Sequence, residues 1–143
     1  MKGCQIYFNK KAIYLICQSR TVFGIWIACE PVFTLNSETK SHELGIKVLE
    51  ILEFSKDQIP HDSDRLIVLP KSALKATGFK SWKMIEKNSS LVFVTSNDIE
   101  VEITPYVVSE DKQGFEPLIK KVLKCNIEAN KIGELLLDLQ TIY

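Results

Sequence analysis

Histidine is scarce in this chain: among 143 residues only His42 and His61 carry an imidazole. A Cys–His or Ser–His nucleophile needs a base held in reach and a third group to orient it. Nor is there a nucleophile elbow, a Gly-rich phosphate loop or a His-Glu-x-x-His string. Net charge is also missing, because 18 basic residues cancel 18 acidic ones. No global field therefore draws the protein onto nucleic acid or an anionic membrane. No segment approaches the roughly 20 apolar residues that span a bilayer. The start, Met1-Lys2-Gly3-Cys4-Gln5, carries one charge and meets polar Asn9-Lys10-Lys11 before an apolar core develops, which excludes a signal peptide. Cys4, Cys17, Cys29 and Cys125 form no Cys-x-x-Cys pair, and three of them lie in apolar runs where a thiol behaves as a small hydrophobe. These absences describe a reduced, cytoplasmic protein with no enzymatic apparatus and no cofactor.

What is present is ordinary globular material. Apolar residues make up 45% and charged residues 25%, and the length suits one domain over residues 1–143. Residues 4–8 and 12–18 are rich in Ile, Tyr, Phe and Leu and read as a hairpin. A turn at Ser19-Arg20-Thr21 leads to a strand over 24–35, where Pro31 lacks a ladder N–H and calls for a bulge or a sheet edge. A helix follows over about 41–54, with Leu44, Val48, Ile51 and Leu52 on one stripe and Glu43 and Lys47 spaced for an i, i+4 pair. Residues 55–65 read as a polar loop and 66–69 as a short apolar run. Short helices are expected over 71–77, stopped by Gly78, and over 81–87, capped by Ser81. Strands at 91–95 and 99–104 flank Ser96-Asn97-Asp98, a hairpin signal. A loop over 109–114 precedes a candidate strand at 118–124. The last helix is expected over about 129–140, burying Ile132, Leu136 and Leu139.

The two longer helices resemble each other. An offset of 88 lays Leu44 on Ile132, Gly45 on Gly133, Val48 on Leu136, Leu49 on Leu137 and Ile51 on Leu139. Glu30-Pro31 and Glu116-Pro117 stand in similar places before the strand that feeds each helix. The expected fold is therefore α+β, antiparallel sheet packed against two longer amphipathic helices, with a pseudo-duplication of strands then helix. This order resembles the whirly-type architecture, a likeness of fold that transfers no nucleic-acid binding.

Candidate chemistry is thin. Asp57, Asp62 and Asp64 crowd His61, and oxygen with imidazole ligands in one loop is material for a divalent ion. So short a loop converges few ligands, and the reading adopted is a solvated loop without a metal. Glu100 and Glu102 share one strand face, but alternation with Ile99, Val101 and Ile103 explains them as the wet side of a half-buried strand.

Charge is segregated even though it cancels. Residues 71–87 carry a local balance of +4, residues 37–64 one of −4, and residues 98–116 one of −5. Acidic patches suit a basic partner, steering its approach and covering its phosphate-binding surface. The lysines Lys71, Lys75, Lys80 and Lys83, beside Phe79 and Trp82, support the alternative of a small nucleic-acid-binding module. The neutral overall balance argues against nucleic acid as the partner, because phosphate neutralisation supplies most non-specific affinity. Trp26 and Trp82 both read as core anchors.

Three strings in fixed order carry a resemblance: Ile59-Pro60-His61, Lys80-Ser81-Trp82 and Gly114-Phe115-Glu116-Pro117. Gly24-Ile25-Trp26-Ile27-Ala28, Glu43-Leu44-Gly45 and Ile132-Gly133-Glu134-Leu135 extend it over roughly residues 12 to 140. Together they resemble the immunity proteins of bacterial contact-dependent growth inhibition systems. The resemblance implies a protein that binds and blocks the C-terminal domain of a cognate toxin, usually a nuclease. Asp62-Ser63-Asp64-Arg65 departs from the family pattern, which has a Pro-Thr-Asp-Trp-like segment there. The strings consist of scaffold residue types, so toxin contact is expected instead from the acidic residues Asp57, His61 beside them, Asp62, Asp64, Asp98, Glu100, Glu102, Glu110 and Asp111.

Overall fold

The computed structural model describes residues 1–61, 74–75, 77–108 and 114–142. Among these the order of elements is β1 (Lys2–Phe8), β2 (Ala12–Arg20), β3 (Trp26–Asn36), α1 (Ser41–Leu52), α2 (Trp82–Asn88), β4 (Ser90–Ser96), β5 (Glu100–Val108), β6 (Phe115–Pro117), β7 (Leu123–Asn126) and α3 (Ala129–Ile142). A single 3-10 turn, Ile119–Lys121, separates β6 from β7. The fold is α+β, one antiparallel sheet in the order β3-β2-β1-β4-β5-β6, with β7 pairing β5 alongside β6.

Both hairpins stand where the residue pattern placed them. Asn97 closes the second, its Oδ1 accepting from the N–H groups of Ile99 and Glu100 at 2.8 Å each. Asn9 closes the first in the same way, accepting from Lys11 and Ala12 at 2.8 and 2.9 Å. Such Asx turns satisfy strand-end donors without glycine. Pro31 lies on an edge strand and also at a bulge. The β2–β3 register runs Ile16↔Val32, then shifts to Gln18↔Ala28, leaving Cys29, Glu30 and Pro31 opposite Cys17 alone. Ser81 caps α2 by accepting from Met84 N. Gly78 sits at φ +72°, its N–H on Leu74 O, ending the helical turn of which Leu74, Lys75 and Thr77 are described. The apolar run expected over 66–69 lies outside the described residues.

Three expectations need correction. The strand expected over 118–124 is interrupted by the 3-10 turn, because β6 must pair the Tyr106–Val108 end of β5 while β7 pairs its Glu100–Ile103 end. β2 continues through Arg20, so the turn falls later, at 22–25. Lys47 pairs with Glu50 at 3.1 Å, not with Glu43.

The main core lies between one sheet face and the helix pair. Leu44, Val48, Ile51 and Leu52 of α1 meet Ile132, Leu136 and Leu139 of α3 over Cys4, Ile6, Leu15, Val94, Val101 and Ile103. This satisfies the amphipathic stripes of both helices and the inward positions of the four central strands.

The duplication is a property of the fold. β1 and β4 pair across a pseudo-twofold axis: Lys2 faces Ser96 and Phe8 faces Ser90, a register that maps onto itself when 88 is added on one strand and subtracted on the other. The hairpins share register too, since Gly3↔Gln18 becomes Leu91↔Tyr106 and Phe8↔Ile13 becomes Ser96↔Val101 under the same offset. At the helix crossing a Cβ on Gly45 would stand 1.8 Å from the Ala129 carbonyl oxygen, and one on Gly133 would stand 1.7 Å from that of Ser41. Both contacts are related by the offset, as are the partners of the hydrogen bond from His42 Nδ1 to Asn130 Oδ1. Backbones approach this closely only where both residues lack a side chain.

Candidate functional site

The second face of the sheet is divided. Its first half carries Tyr7 of β1, Ala12, Tyr14 and Ile16 of β2, and Leu91 of β4. Ile85 of α2, with Leu74 and Phe79, packs over them as a second core. Phe79 meets Tyr14 edge to face at 6.4 Å, and Phe115 meets Tyr7 at 6.4 Å. The other half presents Gln5, Thr95, Glu100, Glu102 and Thr104, all half-exposed. Trp26 reaches in from β3 and meets Phe93 edge to face at 5.4 Å.

The acidic residues singled out from sequence fall into two places. Asp98, exposed in the β4–β5 turn, Glu100 and Glu102 lie along one edge of the uncovered half. Lys124 Nζ stands 3.8 Å from Glu100 Oε1, with both side chains substantially exposed at 59% and 40%. An exposed pair of that length adds little. Asp62, Asp64, Glu110 and Asp111 lie outside the described residues.

Asp57 lies at the end of β2, where its carboxylate is already paired within the chain. Arg20 Nε and Nη2 donate to its two carboxylate oxygens at 2.8 Å each, and the Met1 amino group donates to Oδ2 at 2.8 Å. The Arg20 guanidinium is the main reason its carboxyl is held well below the usual carboxylate range, with the amino terminus second. Arg20 also lies over the Trp26 ring, 5.7 Å from its centroid. Nearby, Ser55 Oγ accepts from Gly3 N and donates to Gln18 O, Lys56 N donates to Ser19 Oγ, and Thr21 bridges Ile59 in parallel. Together these contacts latch residues 55–59 along the end of β2.

His61 ends that latch. Its ring packs edge to face on Phe23 at 4.8 Å, and its Nδ1 is buried with no hydrogen-bond partner among the described residues. No group of three or more metal-ligating side chains occurs among the described residues. The latch also holds up an apolar tip that sequence reading missed: Val22, Phe23 and Ile25 are 56%, 72% and 42% exposed. Thr21 Oγ1 accepts from the N–H groups of Phe23 and Ile25 and fixes the turn.

A second missed feature is a thiol pair at the bulge. A hydrogen bond with Cys17 pulls the Cys29 thiol down to about 7, helped by Ser19 and by the charge of Lys56. The same contact, with burial, pushes Cys17 up. Ser19 Oγ lies 3.2 Å from Cys29 Sγ. The partners that shift these thiols are Ser19, Lys56 and the thiols themselves. The signal was Pro31, which marked the bulge that turns Cys29 toward Cys17.

Lys75, Lys80 and Lys83 are exposed on the 74–88 segment, while Lys71 and the Trp82 side chain lie outside the described residues. Phe79, the aromatic beside them, is half-buried and packs edge to face on Tyr14. Among the described residues no helix is long and apolar enough to cross a membrane.

No protein-family model and no curated protein matches the chain. Solved structures do. One is a protein of unknown function, NMB0488, from Neisseria meningitidis, at TM-score 0.70 and 15% identity, covering 93% of this chain and 89% of that one. Another is a chain of the CdiA-CT/CdiI toxin and immunity complex from Yersinia pseudotuberculosis, at TM-score 0.71 and 13% identity, covering 99% of this chain and 95% of that one. At these identities the likeness is one of fold, and it takes in both halves of the duplicated sheet.

Proposed function

We propose that this chain is a single-domain immunity protein, acting in the bacterial cytoplasm, that binds the C-terminal toxin domain of a cognate contact-dependent growth inhibition system and blocks it stoichiometrically. The observation that carries this reading is the fold shared over almost the whole chain with a component of a toxin and immunity complex. The ordered sequence strings support it independently, and they stand at structural joints. Gly45 and Gly133 form the helix crossing, Pro60-His61 ends the latch, and Phe115 packs on Tyr7. Occlusion of the toxin's active site or substrate path, with no catalysis by the immunity protein, is the mechanism this reading implies. A nuclease toxin, being basic where it holds phosphate, would suit the acidic surface of residues 98–102.

The test is calorimetry and co-purification with the toxin domain encoded immediately upstream, alongside growth of cells that express it. Tight one-to-one binding and restored growth are expected; no binding and no rescue would sink the reading. The exposed lysines Lys75, Lys80 and Lys83 support a second reading, a small nucleic-acid-binding module. A salt-dependent gel shift that disappears in the Lys80→Ala, Lys83→Ala double variant would favour it.

A further inference from the structure

The internal twofold makes each half of the sheet a control for the other. Residues over which the 74–88 segment packs have named equivalents at the offset of 88. Tyr7 corresponds to Thr95, Ala12 to Glu100, Tyr14 to Glu102 and Ile16 to Thr104. The scaffold is the same, and so is the direction in which the side chains point. In one half the floor is apolar and the chain covers it with its own short helix. In the other the floor is carboxylates and hydroxyls, half-exposed.

Resting on the immunity reading above, we infer that the toxin domain docks on this uncovered half through a short basic segment. That segment lies over Thr95, Glu100, Glu102 and Thr104 as residues 74–88 lie over Tyr7, Ala12, Tyr14 and Ile16. The geometry of the occupant comes from the covered half, where strands of equivalent register accept one helix of two turns. Its chemistry comes from charge. Glu100 and Glu102 project from the same strand face, and Asp98 extends the negative edge into the turn. Among the described residues the cation paired with them is Lys124, at 3.8 Å from Glu100 and well hydrated. A partner lysine or arginine replaces that contact at small cost, and Thr95 and Thr104 supply hydroxyls that accept from it. Because the whole chain is neutral, this patch steers only a partner already within about 10 Å at moderate salt, which favours specificity for a complementary surface over general attraction to cations.

The experiment measures association of the upstream-encoded toxin domain, in a catalytically inactive form, with the wild-type chain and with a Glu100→Lys, Glu102→Lys variant at two salt concentrations. The variant is expected to associate at least about tenfold more slowly and to lose most of the salt dependence, with its thermal midpoint unchanged. Glu100→Gln with Glu102→Gln gives a smaller loss of the same sign and serves if the reversal disturbs folding. As a control, Glu128→Lys with Glu134→Lys, on and beside α3, leaves association within about twofold. Wild-type binding with unchanged kinetics in both Glu100/Glu102 variants overturns this inference and leaves the immunity reading intact. An equal effect from the α3 control also overturns it, since net charge alone would then explain the rate. Failure of the wild-type chain to bind overturns both.

Discussion

The two halves of this molecule, 2–52 and 90–142, use one plan with two surfaces. Where they meet each other they are nearly interchangeable. The helices cross glycine to backbone in both directions, Leu44, Val48 and Ile51 of one core stripe match Ile132, Leu136 and Leu139 of the other, and the hairpins share register. Where they face away from that core they part. One half holds aromatic and aliphatic residues under α2; the other holds glutamates and threonines in water. The helix-covered face is constrained twice, because each change must suit two packed copies of a crossing. The far face is constrained only by what covers it, so it is where duplicated scaffolds are free to acquire different partners.

The sharpest way to break this comparison is at the crossing. Gly45→Ala and Gly133→Ala each place a methyl inside a backbone carbonyl's contact radius, and each should cost about 3 kcal/mol or more of unfolding free energy. Chemical denaturation would measure both. A difference between them much larger than about 1 kcal/mol would mean that the twofold is geometric but not energetic. Leu136→Ala, which empties a core position instead of overfilling one, should cost about 2–5 kcal/mol by the same measurement.

The far faces should separate cleanly. Ile85→Ala truncates a fully buried residue of α2 and should cost at least about 2 kcal/mol. Glu102→Ala, on the equivalent floor of the other half, should stay within about 0.5 kcal/mol. Equal costs would show that the uncovered half is as tightly packed as the covered one.

The latch on β2 gives a pH test. In the unfolded chain Asp57 titrates near 4, and in the fold its value lies lower because Arg20 and the amino terminus hold the carboxylate. A depressed folded value adds stability that is complete above the unfolded value and lost as pH falls below it. The thermal midpoint of the wild-type chain should therefore exceed that of Asp57→Asn at pH 7, with the gap narrowing progressively as pH falls from about 4 toward the lower folded value. A gap that does not narrow between about pH 5 and pH 2 would assign the effect to packing instead.

The smallest effect concerns the third strand, the one place where the halves lose register. In one half it bulges at Cys29 to Pro31; in the other it breaks into the 3-10 turn Ile119–Lys121. Iodoacetamide should label Cys29 before Cys4, Cys17 and Cys125 in the native protein, with a rate rising through about pH 7. Ser19→Ala should move that rise upward, because it removes one hydrogen bond to the thiol. Mass spectrometry of the labelled peptides reads both outcomes.

Much of the fold was legible because it follows from short-range periodicity. Val101 and Ile103 alternate with Glu100 and Glu102, and Leu44, Val48, Ile51 and Leu52 recur at helical spacing; both patterns bury as expected. Asn97 and Ser81 announce their turn and cap through bonds to neighbours two and three residues away. The candidate site was less legible. Asp57 looks like any loop carboxylate until the fold brings Arg20 against it from 37 residues away. Residues 118–124 have the composition of a strand, and only the need to serve two stretches of β5 breaks them.

By itself, then, the sequence determined most of the elements and their apolar faces, which depend on residues within one or two turns of one another, and direct comparison of the two helices within it exposed the offset of 88. The tertiary structure decided how those repeats meet and what each leaves exposed. Strand register, the glycine crossing and the pairing of Arg20 with Asp57 all depend on contacts between distant parts of the chain. The two sheet floors differ in character on the page of the sequence, but their equivalence exists only once β1 and β4 pair about a common axis.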